Sequence, residues 1–247
     1  MKRLILVRHA TAVDKGPEGS DFHRRLKKRG KREARVMADQ VKALIEVPDQ
    51  MLSSPADRAL ETAGIFAEHF AVPAERVTLR EELYGGLDPG EFLHIIQRLD
   101  DTASSVMIFG HDPSFTEFAG YMIPAFTDSI PKAGVLVMDI DRPRWKAVRQ
   151  GEAKLVHFER PPAPDEQKRL DNEVLDRLVV AIQQGILAST RPLEIADSEE
   201  AARLIARTST KLARDLRPFV RAKSTKREKD KPAAKKKNGK TRARSAR

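Results

Sequence analysis

Short apolar runs alternate with amphipathic stretches over the first 150 residues of this chain. Leu4-Ile5-Leu6-Val7 and Val106-Met107-Ile108-Phe109 read as buried strands, because each is unbroken by polar positions and too short for a helix. Gln50-Met51-Leu52-Ser53 and Val77-Thr78-Leu79 read as two more strands. Between them, Ala34, Met37, Ala38, Val41, Leu44 and Ile45 recur at helical spacing. Pro55 opens a second helix with Leu60, Ala63, Ile65, Phe66 and Phe70 on its apolar side. Further helices are expected over 91–99 and 114–122. Ala133 to Asp139 and Trp145 to Val148 flank the turn-like Asp141-Arg142-Pro143, and are expected to pair as an antiparallel hairpin at a sheet edge. This alternation predicts an α/β fold, a three-layer α/β/α sandwich around a mostly parallel sheet.

The texture changes after Gly151. Arg160-Pro161-Pro162-Ala163-Pro164 reads as a linker. Leu170, Val174, Leu175, Leu178, Ile182 and Ile186 form a helical stripe, and a second helix is expected from Asp197, with Glu200 at capping-box spacing. The expected organisation is a catalytic-type α/β domain over 1–158, a linker and C-terminal helical hairpin over 159–220, and a disordered basic tail over 221–247.

The net charge of +10 belongs almost wholly to that tail. Residues 221–247 carry thirteen Lys or Arg against Glu228 and Asp230, which leaves the preceding 220 residues near neutral. A contact between residues 221–247 and a polyanion is therefore expected to run through phosphates and to be salt-dependent, since no aromatic follows Phe219. The absence of cysteine excludes disulfide scaffolds, thiolate metal sites and cysteine-nucleophile phosphatases. The first apolar run is too short for a signal peptide and no run approaches a membrane span. A cytoplasmic location without membrane contact is the expectation.

Two of the strands end in histidine, at Arg8-His9 and Gly110-His111. In open α/β sheets ligands collect at the carboxyl ends of the strands. Arg58 lies in the first turn of the helix after the second strand, where a planar guanidinium can grip phosphate oxygens. His9, Arg8, Arg58 and His111 thus all fall on strand-to-helix connections. This set fits phosphoryl transfer to an imidazole nucleophile, with cations holding the phosphate oxygens. Metal binding by His9 and His111 is the competing reading. It lacks a grouped set of ligands, and Arg8 would repel a cation.

Arg8-His9-Ala10, Ser53-Ser54-Pro55 with Arg58-Ala59 and Thr62-Ala63, and Gly110-His111 together resemble the histidine phosphatase superfamily, with its phosphoglycerate-mutase-like fold. Asp21-Phe22-His23-Arg24-Arg25-Leu26 with Arg29-Gly30 resembles its SixA-type phosphohistidine phosphatase branch. The resemblance covers about residues 1–150. It implies that His9 becomes phosphorylated and is then hydrolysed, while Arg8, Arg58 and His111 bind the phosphate. Glu81 matches the proton donor of the larger relatives, and Glu82 is its substitute. No cofactor and no metal is implied, and the substrate would be a phosphorylated protein or a small phosphorylated metabolite. The alternative is a non-catalytic phosphate-recognising or polyanion-binding module. One departure is Ala10, where the family usually has glycine; it is acceptable where that backbone has negative φ.

Overall fold

In the computed structural model, residues 1–15, 20–190 and 199–227 are described. The first strand, β1 (Lys2–Arg8), lies inside a six-stranded sheet, with β4 (Ser105–Gly110) parallel on one side and β5 (Val135–Ile140) antiparallel on the other. Beyond β4 come β2 (Gln50–Ser53) and β3 (Val77–Leu79), both parallel, and beyond β5 comes β6 (Ala153–Glu159). The order is β3-β2-β4-β1-β5-β6.

The central strands β1, β4 and β5 are buried on both faces, which explains their unbroken apolar runs. Leu4, Leu6, Val106 and Ile108 point to one face, against Phe92, Ile96, Phe115 and Phe118 of α3 (Pro89–Gln97) and α4 (Ser114–Met122). Ile5, Val7, Met107 and Phe109 point to the other, against Met37, Ala38, Val41, Phe66 and Phe70 of α1 (Lys28–Leu44) and α2 (Asp57–Phe70). The three-layer α/β/α arrangement follows from this two-sided burial.

The hairpin differs from its sequence reading. β5 is as expected, but Trp145–Ala147 forms a single 3-10 turn and the returning strand is β6. Trp145 is fully buried, and its indole N–H donates to the Ala103 carbonyl. Burying that large ring at the end of the sheet wins over its strand propensity.

The chain separates into two compact units, Met1–Pro162 and Ala163–Arg247. Within the second, α5 (Pro164–Thr190) and α6 (Glu199–Arg227) pack on each other. The helix start expected at Asp197 lies outside the described residues. α6 runs to Arg227, so 221–227 extend a helix where disorder was expected; Arg, Ala and Lys are good helix formers and allow an existing helix to propagate. The rest of the expected basic tail, and the polyanion contact expected of it, lies outside the described residues. None of the described helices is long and apolar enough to cross a membrane.

Candidate active site

Strand neighbours decide the site. Arg8 and Gly110 are register partners at the ends of β1 and β4, so His9 and His111 leave adjacent strands side by side. The His9 N–H donates to the Gly110 carbonyl at 3.0 Å, and the two rings lie 5.1 Å apart between centroids. α1 follows β1 onto one face of the sheet and α4 follows β4 onto the other, which opens a crevice at this rim. β2 ends next to β4, with Ser54 N–H on the Phe109 carbonyl at 2.9 Å, and delivers Arg58 in the first turn of α2.

The His9 ring is almost wholly buried. Its Nδ1 lies 2.8 Å from the Ala10 carbonyl, which can only accept, so Nδ1 carries the proton and Nε2 the lone pair. Arg58 Nε donates to that lone pair at 3.3 Å. Burial first, then the charges of Arg58, Arg8 and Arg24, push His9 down to about 4, against the opposing effect of the Ala10 bond. Burial, Arg58 and His9 push His111 down to about 3. Both imidazoles are therefore neutral at pH 7. The His111 Nε2 lies 2.8 Å from Ser54 Oγ, and its Nδ1 is buried without a partner among the described residues.

These depressed values carry a stability consequence. Between pH 4 and 6.5 the unfolded chain takes up protons on these histidines that the folded chain refuses, so stability falls as pH drops through that window. An NMR titration should show the His9 and His111 ring resonances still in their neutral form at pH 5. A midpoint near 6.5 for either ring would contradict this environment.

Arg58 is held from the far side by Asp21. Its Nη1 donates to the Asp21 carbonyl at 2.6 Å and its Nη2 to Asp21 Oδ2 at 2.9 Å. Asp21 also accepts from Arg24 Nε at 2.8 Å and from the Tyr84 hydroxyl at 3.4 Å. Burial opposes ionisation of Asp21, but Arg58 and Arg24 outweigh it and hold the carboxyl below its usual range. Asp21 is thus a carboxylate that orients Arg58, and sequence reasoning did not single it out. The signal was present in the run from Asp21 to Gly30, but the reason for it is a contact across 37 positions.

The other expected residues lie as follows. Arg8 is partly buried, with Nη1 on the Ile130 carbonyl at 2.7 Å and 3.5 Å from Asp112, and it reaches His9 through its charge rather than by contact. Glu81 is exposed on a 3-10 turn and Glu82 faces Arg80 at 3.9 Å; neither hydrogen-bonds His9, Arg58 or His111. Ala10 has negative φ, as its place in the motif requires, and its N–H donates to Thr62 Oγ1 at 3.1 Å. Among the described residues no group of three or more His, Asp or Glu is placed to hold a metal ion.

A neutral, lone-pair-bearing imidazole facing a carboxylate-oriented guanidinium, at the strand-end crevice of a three-layer sheet, is an arrangement able to receive an anionic group such as phosphate. Residues 4–117 match the family model of the histidine phosphatase superfamily (branch 1). An uncharacterized protein of Mycobacterium tuberculosis is 28% identical over 166 residues, an alignment spanning 99% of that protein and 63% of this chain. The crystal structure of a candidate phosphohistidine phosphatase SixA from Agrobacterium tumefaciens is similar at 27% identity and a TM-score of 0.54, covering 98% of that chain and 65% of this one. A protein histidine phosphatase SixA solved with tungstate shares the fold at 22% identity and a TM-score of 0.55, over 97% of that chain and 64% of this one.

Proposed function

We propose that this chain hydrolyses a phosphohistidine borne on a protein, through transient phosphorylation of His9 and without a metal ion. The observation that carries this reading is the His9 lone pair on Nε2, kept neutral and faced by Arg58, in a site where no carboxylic acid among the described residues is bonded to His9 or His111. The likeness to a candidate SixA phosphohistidine phosphatase supports the same substrate class.

His9 Nε2 attacks phosphorus as the bond from phosphorus to the substrate imidazole breaks. The bonding pair leaves with that imidazole, which takes its proton from solvent. Arg58, Arg8 and His111 surround the transferring oxygens, and the charges of the two arginines offset the negative charge concentrated there. Water then attacks the phosphohistidine, releasing inorganic phosphate and restoring neutral His9. An alkoxide leaving group would need a donated proton, whereas imidazole is a far better leaving group. Asp21 cannot supply that proton, since it is ionised and bonded to two guanidiniums and a tyrosine. For a phosphomonoester the donor would be Glu81, reaching in from its exposed turn.

The test compares a phosphohistidine peptide with an alkyl phosphate such as glycerol phosphate, both in the presence of chelator. General acid catalysis contributes on the order of 100-fold or more, so a site without a donor should favour the peptide by about that factor. Equal rates would overturn the phosphohistidine reading and return the donor role to Glu81.

A further inference from the structure

The chain concentrates positive charge beside the site in a way that folding does not explain. Residues 24–35 hold eight Lys or Arg and a single acid, Glu33. This segment is fastened to the pocket at several points: Arg24 to Asp21, the Asp57 N–H to the Phe22 carbonyl, and the Lys27 N–H to the Thr11 carbonyl two residues past His9. The first turn of α1 therefore lies at the same rim as the nucleophile.

Five of the eight cations face carboxylates: Arg24 faces Asp21, Arg25 and Lys31 face Glu61, Lys27 faces Asp14 and Arg29 faces Glu33. Among the described residues no carboxylate pairs with Lys28, Arg32 or Arg35, and all three are exposed. Their spacing of four and three places them in one row, opposite the buried Gly30, Ala34, Met37, Ala38 and Val41. Like charges in such a row repel. The row also begins at a helix N-terminus whose first turn holds no acid, where cations oppose the macrodipole. The local sequence thus works against helix stability, with no compensating carboxylate contact to these three cations among the described residues.

We propose that Lys28, Arg32 and Arg35 form a docking face for the acidic surface of the phosphorylated protein whose phosphate enters the His9 pocket. This deepens the reading above and rests on it. The row spans roughly 10 Å of helix, given a rise of about 1.5 Å per residue. A phosphate held at His9 on a small metabolite has no atoms to lay along that length, whereas a protein surface does. Interleaved carboxylates at Asp14, Asp21, Glu33 and Glu61 suit a protein partner of mixed charge better than a nucleic-acid backbone, which would meet them with repulsion. Charge complementarity of this kind acts on encounter, and salt weakens it.

The experiment uses the full chain, the triple variant K28E/R32E/R35E, and a milder K28Q/R32Q/R35Q. The probes are two phosphohistidine peptides, one flanked by glutamates and one by serines, with phosphoramidate as the small substrate. For the unaltered chain at low salt, kcat/KM should favour the acidic peptide by about tenfold or more, and 0.5 M salt should erase the gap. The glutamate variant should lose the preference, the glutamine variant should lose part of it, and both should turn over phosphoramidate at the original rate. The glutamate variant should not melt earlier, because acids replace cations at the start of α1. Fluorescence anisotropy of the labelled, unphosphorylated acidic peptide reads docking independently of catalysis. If no probe releases phosphate but this peptide still binds through the three residues, the phosphatase reading fails and the docking face stands. A preference that is absent, or that survives the glutamate variant, overturns the docking face. So does an oligouridylate that displaces the acidic peptide at lower concentration than the peptide itself, which would assign the row to nucleic acid.

Discussion

His9→Ala should abolish phosphate release, lowering kcat by at least about 10⁴-fold on a phosphohistidine peptide, the scale expected when a covalent route is removed altogether. The remaining residues could still bind phosphate through Arg58 and Arg8, so substrate affinity should fall far less than turnover. The reason is specific to the geometry. Nδ1 is committed to the Ala10 carbonyl, so Nε2 is the nucleophilic atom, and among the described residues Arg58 is its hydrogen-bond partner. Quenched-flow measurement with labelled substrate should trap an acid-labile, base-stable phosphoryl group on the unaltered chain and none on the variant. Normal turnover by His9→Ala would sink the mechanism. Circular dichroism and thermal melting separate this from unfolding, since the substitution leaves both core clusters in place.

Gly30→Ala should destabilise the first unit by about 3 kcal/mol, at or beyond the upper end of ordinary overpacking. A Cβ on Gly30 would lie 2.0 Å from the Thr11 carbonyl oxygen and 2.8 Å from its carbon. Those are backbone atoms and cannot swing aside. α1 must then lift away from the sheet, loosening the burial of Ala34, Met37, Ala38 and Val41. Helix propensity pulls the other way, since alanine is favoured over glycine by about 1 kcal/mol, but the clash is the larger effect. Gly64 in α2 is the internal control. A Cβ there meets nothing within 4 Å, so Gly64→Ala should be neutral or stabilising. Chemical denaturation of both variants decides the matter, and a Gly30→Ala protein as stable as the original would refute the packing account. Activity should fall with stability in Gly30→Ala, because Thr11 is two residues from the nucleophile.

Much of this was legible locally. β2, β3 and α4 lie where the sequence pattern placed them: β2 is a buried apolar run, α4 has one apolar side, and β3 is a short edge strand left exposed at Thr78 and Leu79. The hairpin was misread at Trp145 because a buried aromatic in a turn and one in a strand look alike in sequence. Glu81 was chosen by its distance along the chain from Tyr84, which carries no information about exposure. Asp21 was passed over for the converse reason: its partners Arg58 and Tyr84 are far away in sequence.

The elements, the imidazole at the ends of β1 and β4, and the confinement of the net charge to the last residues are all readable along the chain. These depend on side-chain periodicity and composition, which are local. The insertion of β4 between β1 and β2 is a matter of strand pairing across the folded sheet, and this non-local pairing makes His9 and His111 neighbours 5.1 Å apart between ring centroids. The fold also buried those rings beside three arginines, which sets their protonation, and it turned Asp21 back onto Arg58. Burial and charge proximity depend on distances in space, and those exist only once the sheet has formed.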